Sequence, residues 1–182
     1  FVAKRMLEEE GFGPEIFIYD TLEVSHGLGF MALEAARMAE EGQDARSIIA
    51  QLDAMREHIG IYFVLKSLET VRRSGRLGLI RTVAADALGV KPVLVFKDGI
   101  VGEVGLVRKF KAALNRLAEI YDHQAKKGGR VVVFHGDNQE DAALLRDSIL
   151  AIDPAAQVSI QWLGGGIGIY TGVGTVGVTF WQ

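Results

Sequence analysis

Residues 15–29, EIFIYDTLEVSHGLG, carry the reading on which the fold turns. Glu15 to Asp20 has the aromatic and β-branched content of a short buried strand, and a polar, glycine-bearing turn from Thr21 to Gly29 follows it. Helical periodicity then sets in at about Phe30 and runs to Glu41 through Met31, Ala35 and Met38. Strand, turn and helix in that order predict a parallel α/β layer.

Upstream, Val2, Met6 and Leu7 share one helical face, which Gly11 and Gly13 end before Pro14. Downstream, Asp44 is placed to cap a second helix through Ile48, Ile49, Leu52 and Met55, antiparallel to the first. Gly60 to Leu65 reads as a strand and leads to a short helix ending in Arg72, Arg73, Ser74 and Gly75. Lys91–Phe96 and Ile100–Val107 flank Asp98-Gly99, the composition of a tight β-hairpin. A long amphipathic helix from about Arg108 to Lys126 follows, then a strand Val131–Phe134, a helix from Asn138 to about Ile152, and a strand Gln157–Leu163. The end is glycine-rich from Gly164 to Gly177 and closes on a strand, Val178–Trp181. The pattern predicts α/β architecture in two domains: 1–62 as the remainder of a parallel α/β layer, and 63–182 as an α+β domain with a mixed or antiparallel sheet.

The 182 residues are 49% hydrophobic and 24% charged, which fits a folded globular protein and excludes disordered and fibrous classes. A formal net charge of -3 argues against an electrostatic nucleic-acid binder, which needs concentrated Lys and Arg. Cysteine is absent, so no disulfide, thiolate nucleophile or Cys-containing zinc site exists, and a cytoplasmic location fits. No apolar run reaches the roughly 20 residues of a transmembrane segment, and the start shows no signal-peptide pattern.

Several groups of residues have chemistry to offer. Ser25-His26-Gly27-Leu28-Gly29 lies where a helix begins, so unpaired N–H groups and the helix dipole favour a carboxylate or phosphate. A capping serine and turn-making glycines account for the same letters. Arg72, Arg73 and Arg76 sit around a helix C-terminus, which the macrodipole favours with or without a ligand. His26, His58, His123 and His135 form no i, i+4 pair, so no metal site is expected. His135 ends an apolar strand, where α/β proteins often carry site residues. A Ser25–His135 acyl hydrolase is therefore one alternative, although the chain has no Gly-x-Ser-x-Gly elbow. A phosphotransfer-type α/β protein is another, against which stands the absence of a Walker loop. The glycines from Gly164 to Gly177 imply close backbone approach to a ligand or to another segment.

Taken in order, these pieces resemble the DegV family. The resemblance is carried by Tyr19-Asp20-Thr21 with Ser25-His26-Gly27-Leu28-Gly29, by Leu68-Glu69 leading to Ser74-Gly75-Arg76-Leu77, and by Gly89-Val90-Lys91-Pro92. It continues through Arg108 with Ala112 and His135-Gly136 before Ala142, and ends on Tyr170-Thr171-Gly172-Val173-Gly174. The resemblance implies a two-domain lipid-binding protein that encloses one long-chain fatty acid, uses no cofactor or metal and performs no chemistry of its own. It assigns the carboxylate to Ser25 with backbone amides at Gly27, and the head-group end to Tyr170, Thr171 and His135. Arg108 and Arg76 fall to partner docking or the head-group network, the partner being the ATP-binding subunit of a fatty acid kinase. Three features depart from the family pattern. Tyr170 stands where a histidine is usual, Val173 where proline is, and Leu106 where a lysine is frequent. Tyrosine donates a hydrogen bond but carries no positive charge at neutral pH. The resemblance also implies a further N-terminal segment, with a strand, an Asp-Ser turn and a Thr-Ser motif, before Phe1.

Overall fold

The computed structural model describes residues 1–75 and 89–182. Runs rich in Val, Ile, Phe and Thr become strands β1 (Ile59–Val64), β2 (Val90–Lys97), β3 (Ile100–Arg108), β4 (Arg130–His135), β5 (Gln157–Trp162) and β6 (Val176–Trp181). They form one mixed sheet in the order β3-β2-β1-β6-β4-β5, in which only β4 and β5 pair in parallel. Asp98 and Gly99, both at positive φ, make the two-residue turn of the β2–β3 hairpin.

The side-chain period of two divides the sheet into two apolar faces. Tyr62, Val64, Val93, Val131, Val133, Val176, Val178 and Phe180 face α5 (Phe110–Gln124) and α6 (Gln139–Ile152). Ile59, Ile61, Phe63, Leu94, Val132 and Phe134 face the other way, against α2 (Ser25–Glu40) and α3 (Ala45–Arg56). α1 (Val2–Glu9) buries no residue, whereas α4 (Glu69–Arg73) and α7 (Gly165–Thr171) pack on each other beside the second face. Asp44 caps α3, accepting from the N–H groups of Arg46 and Ser47. Among the described residues no helix is long and apolar enough to cross a membrane.

Two segments differ from expectation. Glu15–Asp20 is extended but joins no ladder, and its Phe17 and Ile18 stay 37% and 45% exposed. β propensity needs a neighbouring strand to be realised, and this stretch instead lies across α3, with the Tyr19 hydroxyl donating to Asp53 at 3.0 Å. The described part of residues 1–62 therefore supplies helices and most of β1, with residue 62 inside that strand. The glycine-rich tail, for which the sequence implies close backbone approach, also forms the short helix α7. The Thr175 hydroxyl lies 3.2 Å from the Thr171 carbonyl and 2.9 Å from that of Gly172, offering its proton to groups that a helix C-terminus leaves unpaired.

The expected close approach of glycine backbone occurs at Gly177 of β6. A Cβ there would enter the Phe134 ring and meet Phe63 Cβ. Gly177→Ala is expected to lower stability by about 1–3 kcal/mol through overpacking, measured by denaturant titration.

Beneath α5, the Tyr121 hydroxyl donates to Asp153 Oδ2 at 2.6 Å, and the Gly128 N–H donates to the same oxygen at 2.8 Å. These bonds hold the Asp153 carboxyl below its ordinary value of 3.8. The stability they supply is complete above that value and is lost as pH falls through the lowered one. In thermal melts below about pH 4, Asp153→Asn should flatten this part of the acid dependence while lowering the melting temperature at neutral pH.

Candidate functional site

With Gly177 leaving room above β6, the Phe134 ring lies flat enough for the His26 imidazole to stack on it at 5.3 Å, with planes 21° apart. That contact fixes the start of α2. Burial against it pushes the His26 pKa below the ordinary 6.5, so the ring is neutral at neutral pH. His26 Nδ1 is 3.1 Å from Ser25 Oγ. When Nδ1 carries the proton it donates to Ser25, and the serine O–H is then free for a ligand.

Ser25 itself has φ 52, unusual for a side-chain-bearing residue, and so stores backbone strain where the chain turns into α2. Helical structure begins here, five residues earlier than the periodicity indicates. The Gly27 N–H donates to the Val24 carbonyl at 3.1 Å. It is therefore engaged within the turn. Gly27 is needed for space: a Cβ would lie 2.6 Å from both Glu23 Oε2 and Ile61 Cδ1.

Three neighbouring spaces share Val24 and Ile167 as walls. A constriction of about 20 Å³ is bounded by Ser25, Ile61, Phe63, Phe96, Phe134 and Thr171, among others. Phe96 and Thr171 also wall a cavity of about 320 Å³, together with Ile100, Val101 and Tyr170. Ser25 also borders a cleft of about 560 Å³, together with Glu23, His26, Trp162 and Gly164. The walls are apolar apart from a few hydroxyls and the His26–Glu23 edge. Such a composition suits a ligand with a long apolar part and one polar end.

Glu23 is the unusual member of this edge. Among the described residues its buried Oε2 has no hydrogen-bond partner, and burial raises its pKa to about 7, against a smaller opposing pull from the Val24 backbone.

Of the residues expected at a site, Ser25, Tyr170 and Thr171 come together around these spaces, and Gly27 packs under the same turn. His135 does not join them. It follows Val131 and Val133 in the alternation of β4, so its side chain is on the α5–α6 face, opposite Phe134. There it is 2% exposed, accepts the Asn138 N–H at Nδ1 and packs on Trp162. A Ser25–His135 pair, and the hydrolase built on it, finds no support in this arrangement. Arg108 is exposed at the far end of β3 from Ile100, about 25 Å away along the strand. Arg76 lies outside the described residues. Among the described residues no three metal-ligating side chains converge. Sequence reasoning missed Phe134, Ile167 and Glu23 as site residues. Adjacency could have flagged His26 beside Ser25, but nothing in the letters marks Glu23 as buried.

Fold and site together define an α/β protein with an apolar binding space beneath a strained serine turn. Within that class, the chain belongs to the DegV family: the family described as "Uncharacterised protein, DegV family" matches residues 1–182. A DegV domain-containing protein of Clostridium perfringens is 29% identical over 181 residues, covering 98% of this chain and 64% of that protein. The structure described as "Fatty Acid Binding of a DegV family Protein from Thermus thermophilus" superposes with TM-score 0.84 at 28% identity, over 97% of this chain and 65% of that one. That of DegV, "a fatty acid binding protein from Bacillus subtilis", gives 0.82 at 26%, over 100% and 66%. The chain spans less than two thirds of the length of the curated relatives that it matches first.

The Phe134–His26 stack has a direct readout. By NMR titration His26 should lose its proton below pH 6.5, and Phe134→Leu, which opens the stack to water, should move that midpoint upward.

Proposed function

We propose that this protein binds a long-chain fatty acid, with the carboxylate at Ser25 and the acyl chain in the apolar space between the sheet and α7. The observation that carries the proposal is Ser25 bordering a small space walled by Ile61, Phe63, Phe96 and Phe134, beside an apolar cavity that shares Phe96 and Thr171 with it. A buried carboxylate needs donors, and a hydroxyl with the opening amides of a helix supplies them. The N–H groups of Ser25 and His26, in the first turn of α2, have no helix carbonyl within reach. Each methylene moved from water into the cavity adds about 0.8 kcal/mol. The fatty-acid binding named for the Thermus and Bacillus proteins supports the same reading.

The protein acts in this reading as a carrier without chemistry of its own. It works in the cytoplasm and presents the acyl carboxylate to an ATP-using kinase subunit. Arg108, exposed at the end of β3, is available to such a partner, and Arg76 is assigned to the same role from the sequence. Thr171 borders the constriction beside Ser25, and Tyr170, next to it in the wall of the apolar cavity, is assigned as a neutral donor toward the head-group end. His135, on the other face, acts indirectly, through Trp162, on which it packs and which borders the cleft, and through the Asn138 turn that it fastens. Residues 1–62 are assigned to one domain and 63–182 to the domain that sheathes the acyl chain.

Native mass spectrometry of the protein purified at its natural length should detect a bound acyl chain that is released on denaturation. Ser25→Ala should weaken fatty-acid binding about tenfold or more, the loss of one hydrogen bond to a charged group. Absence of any acyl ligand, together with unchanged behaviour of the Ser25 variant, would remove the reading.

A further inference from the structure

Glu23 places an acidic group at the edge of a site that takes an acid. It borders the same cleft as Ser25 and His26, and its Oε2 lies against Gly27 and Ile61, the latter a wall of the constriction next to Ser25. No hydrogen bond reaches that oxygen among the described residues. An ionised carboxylate in this position keeps one buried oxygen without a donor, the hydrogen bond from the Val24 backbone is outweighed by burial, and a second carboxylate nearby raises the cost further.

The charges that face Glu23 do not relieve this. Asp98, in the turn of the β2–β3 hairpin, is negative and disfavours ionisation. Arg56, the last residue of α3, pulls the other way but only weakly. Its guanidinium is directed to Asp53 at 3.7 Å, and among the described residues its Nε has no partner and no ion pair joins it to Glu23. His26, on α2 itself, is kept neutral by burial.

We propose that Glu23 is a proton gate for the anionic ligand: it holds its proton while a carboxylate sits at Ser25, and its ionisation as pH rises drives that carboxylate out. The proposal rests on the fatty-acid reading above. In the protonated form Glu23 adds no charge and has an O–H to donate. Once it is ionised, binding requires uptake of one proton from solvent onto the Glu23 carboxylate, while the ligand keeps its own negative charge. Affinity is then linked to pH with the sign of a group whose pKa the ligand raises further: strong at lower pH, weaker at higher. The free Glu23 group titrates at about 7, which places the loss in the neutral to mildly alkaline range. Fatty acid in solution is ionised throughout that range, and His26 is uncharged, so neither supplies the same dependence.

The test is a titration of the natural-length protein with cis-parinaric acid, followed by its fluorescence, at about pH 6.5 and about pH 8.5, for wild type and Glu23→Gln. Wild-type affinity should fall by about twentyfold between the two, and Glu23→Gln should bind equally at both and more tightly than wild type at the higher pH. Calorimetry of the unaltered protein in buffers of different ionisation enthalpy gives a second readout, uptake of close to one proton per ligand at the higher pH. Flat wild-type affinity with no proton uptake would overturn the gate and leave fatty-acid binding standing. An equal fall in wild type and Glu23→Gln would overturn the assignment to Glu23. Binding by neither protein at either pH would remove the fatty-acid reading and the gate with it.

Discussion

Phe134 lies across β6 at the one position, Gly177, where the strand has no side chain, and His26 rests on the ring from above. This stack of strand, ring and imidazole sets the height of the first turn of α2 over the sheet. Ser25, next to His26, takes its place from it, and so does the constriction that Phe134 and Ser25 share with Ile61 and Thr171. A side chain at position 177 would lift the ring, and the ring would lift the helix. The site is thus anchored in core packing, which resists displacement because protein interiors have little free volume.

Most elements were legible because their signals are local. Asp44 caps α3, Asp98-Gly99 turns the hairpin, and the apolar spacing of Phe110 to Ile120 gives α5. The failures have a common cause in long-range structure. Glu15–Asp20 has strand chemistry, but a strand exists only if another lies beside it, and pairing is not a property of six letters. α7 was hidden because glycine is a poor helix former; the hydroxyl of Thr175 and the burial of Ile167 against the sheet supply what propensity lacks.

The candidate site divides in the same way. Ser25, Tyr170 and Thr171 were named from the resemblance to the DegV family, and they gather round one set of spaces. His135 was named too, but alternation along β4 sends it to the other face, a geometric fact that the sequence reading did not apply. Glu23 went unnoticed for a different reason. A glutamate in a polar turn looks solvated, and its burial depends on Gly27 leaving a gap and on Ile61 closing it from a strand 38 positions later in the chain, which only the folded chain reveals.

The hairpin tip reaches further than its place at the sheet edge indicates. The Gly99 N–H donates to the Leu22 carbonyl at 3.0 Å, so the turn grips the segment that delivers Glu23, Val24 and Ser25. Surface turns ordinarily accept extra residues, because little depends on their length. Here one added residue would slide the grip off its carbonyl and free the approach to α2. Variation in the length of this loop should therefore be rare among proteins that keep the serine turn.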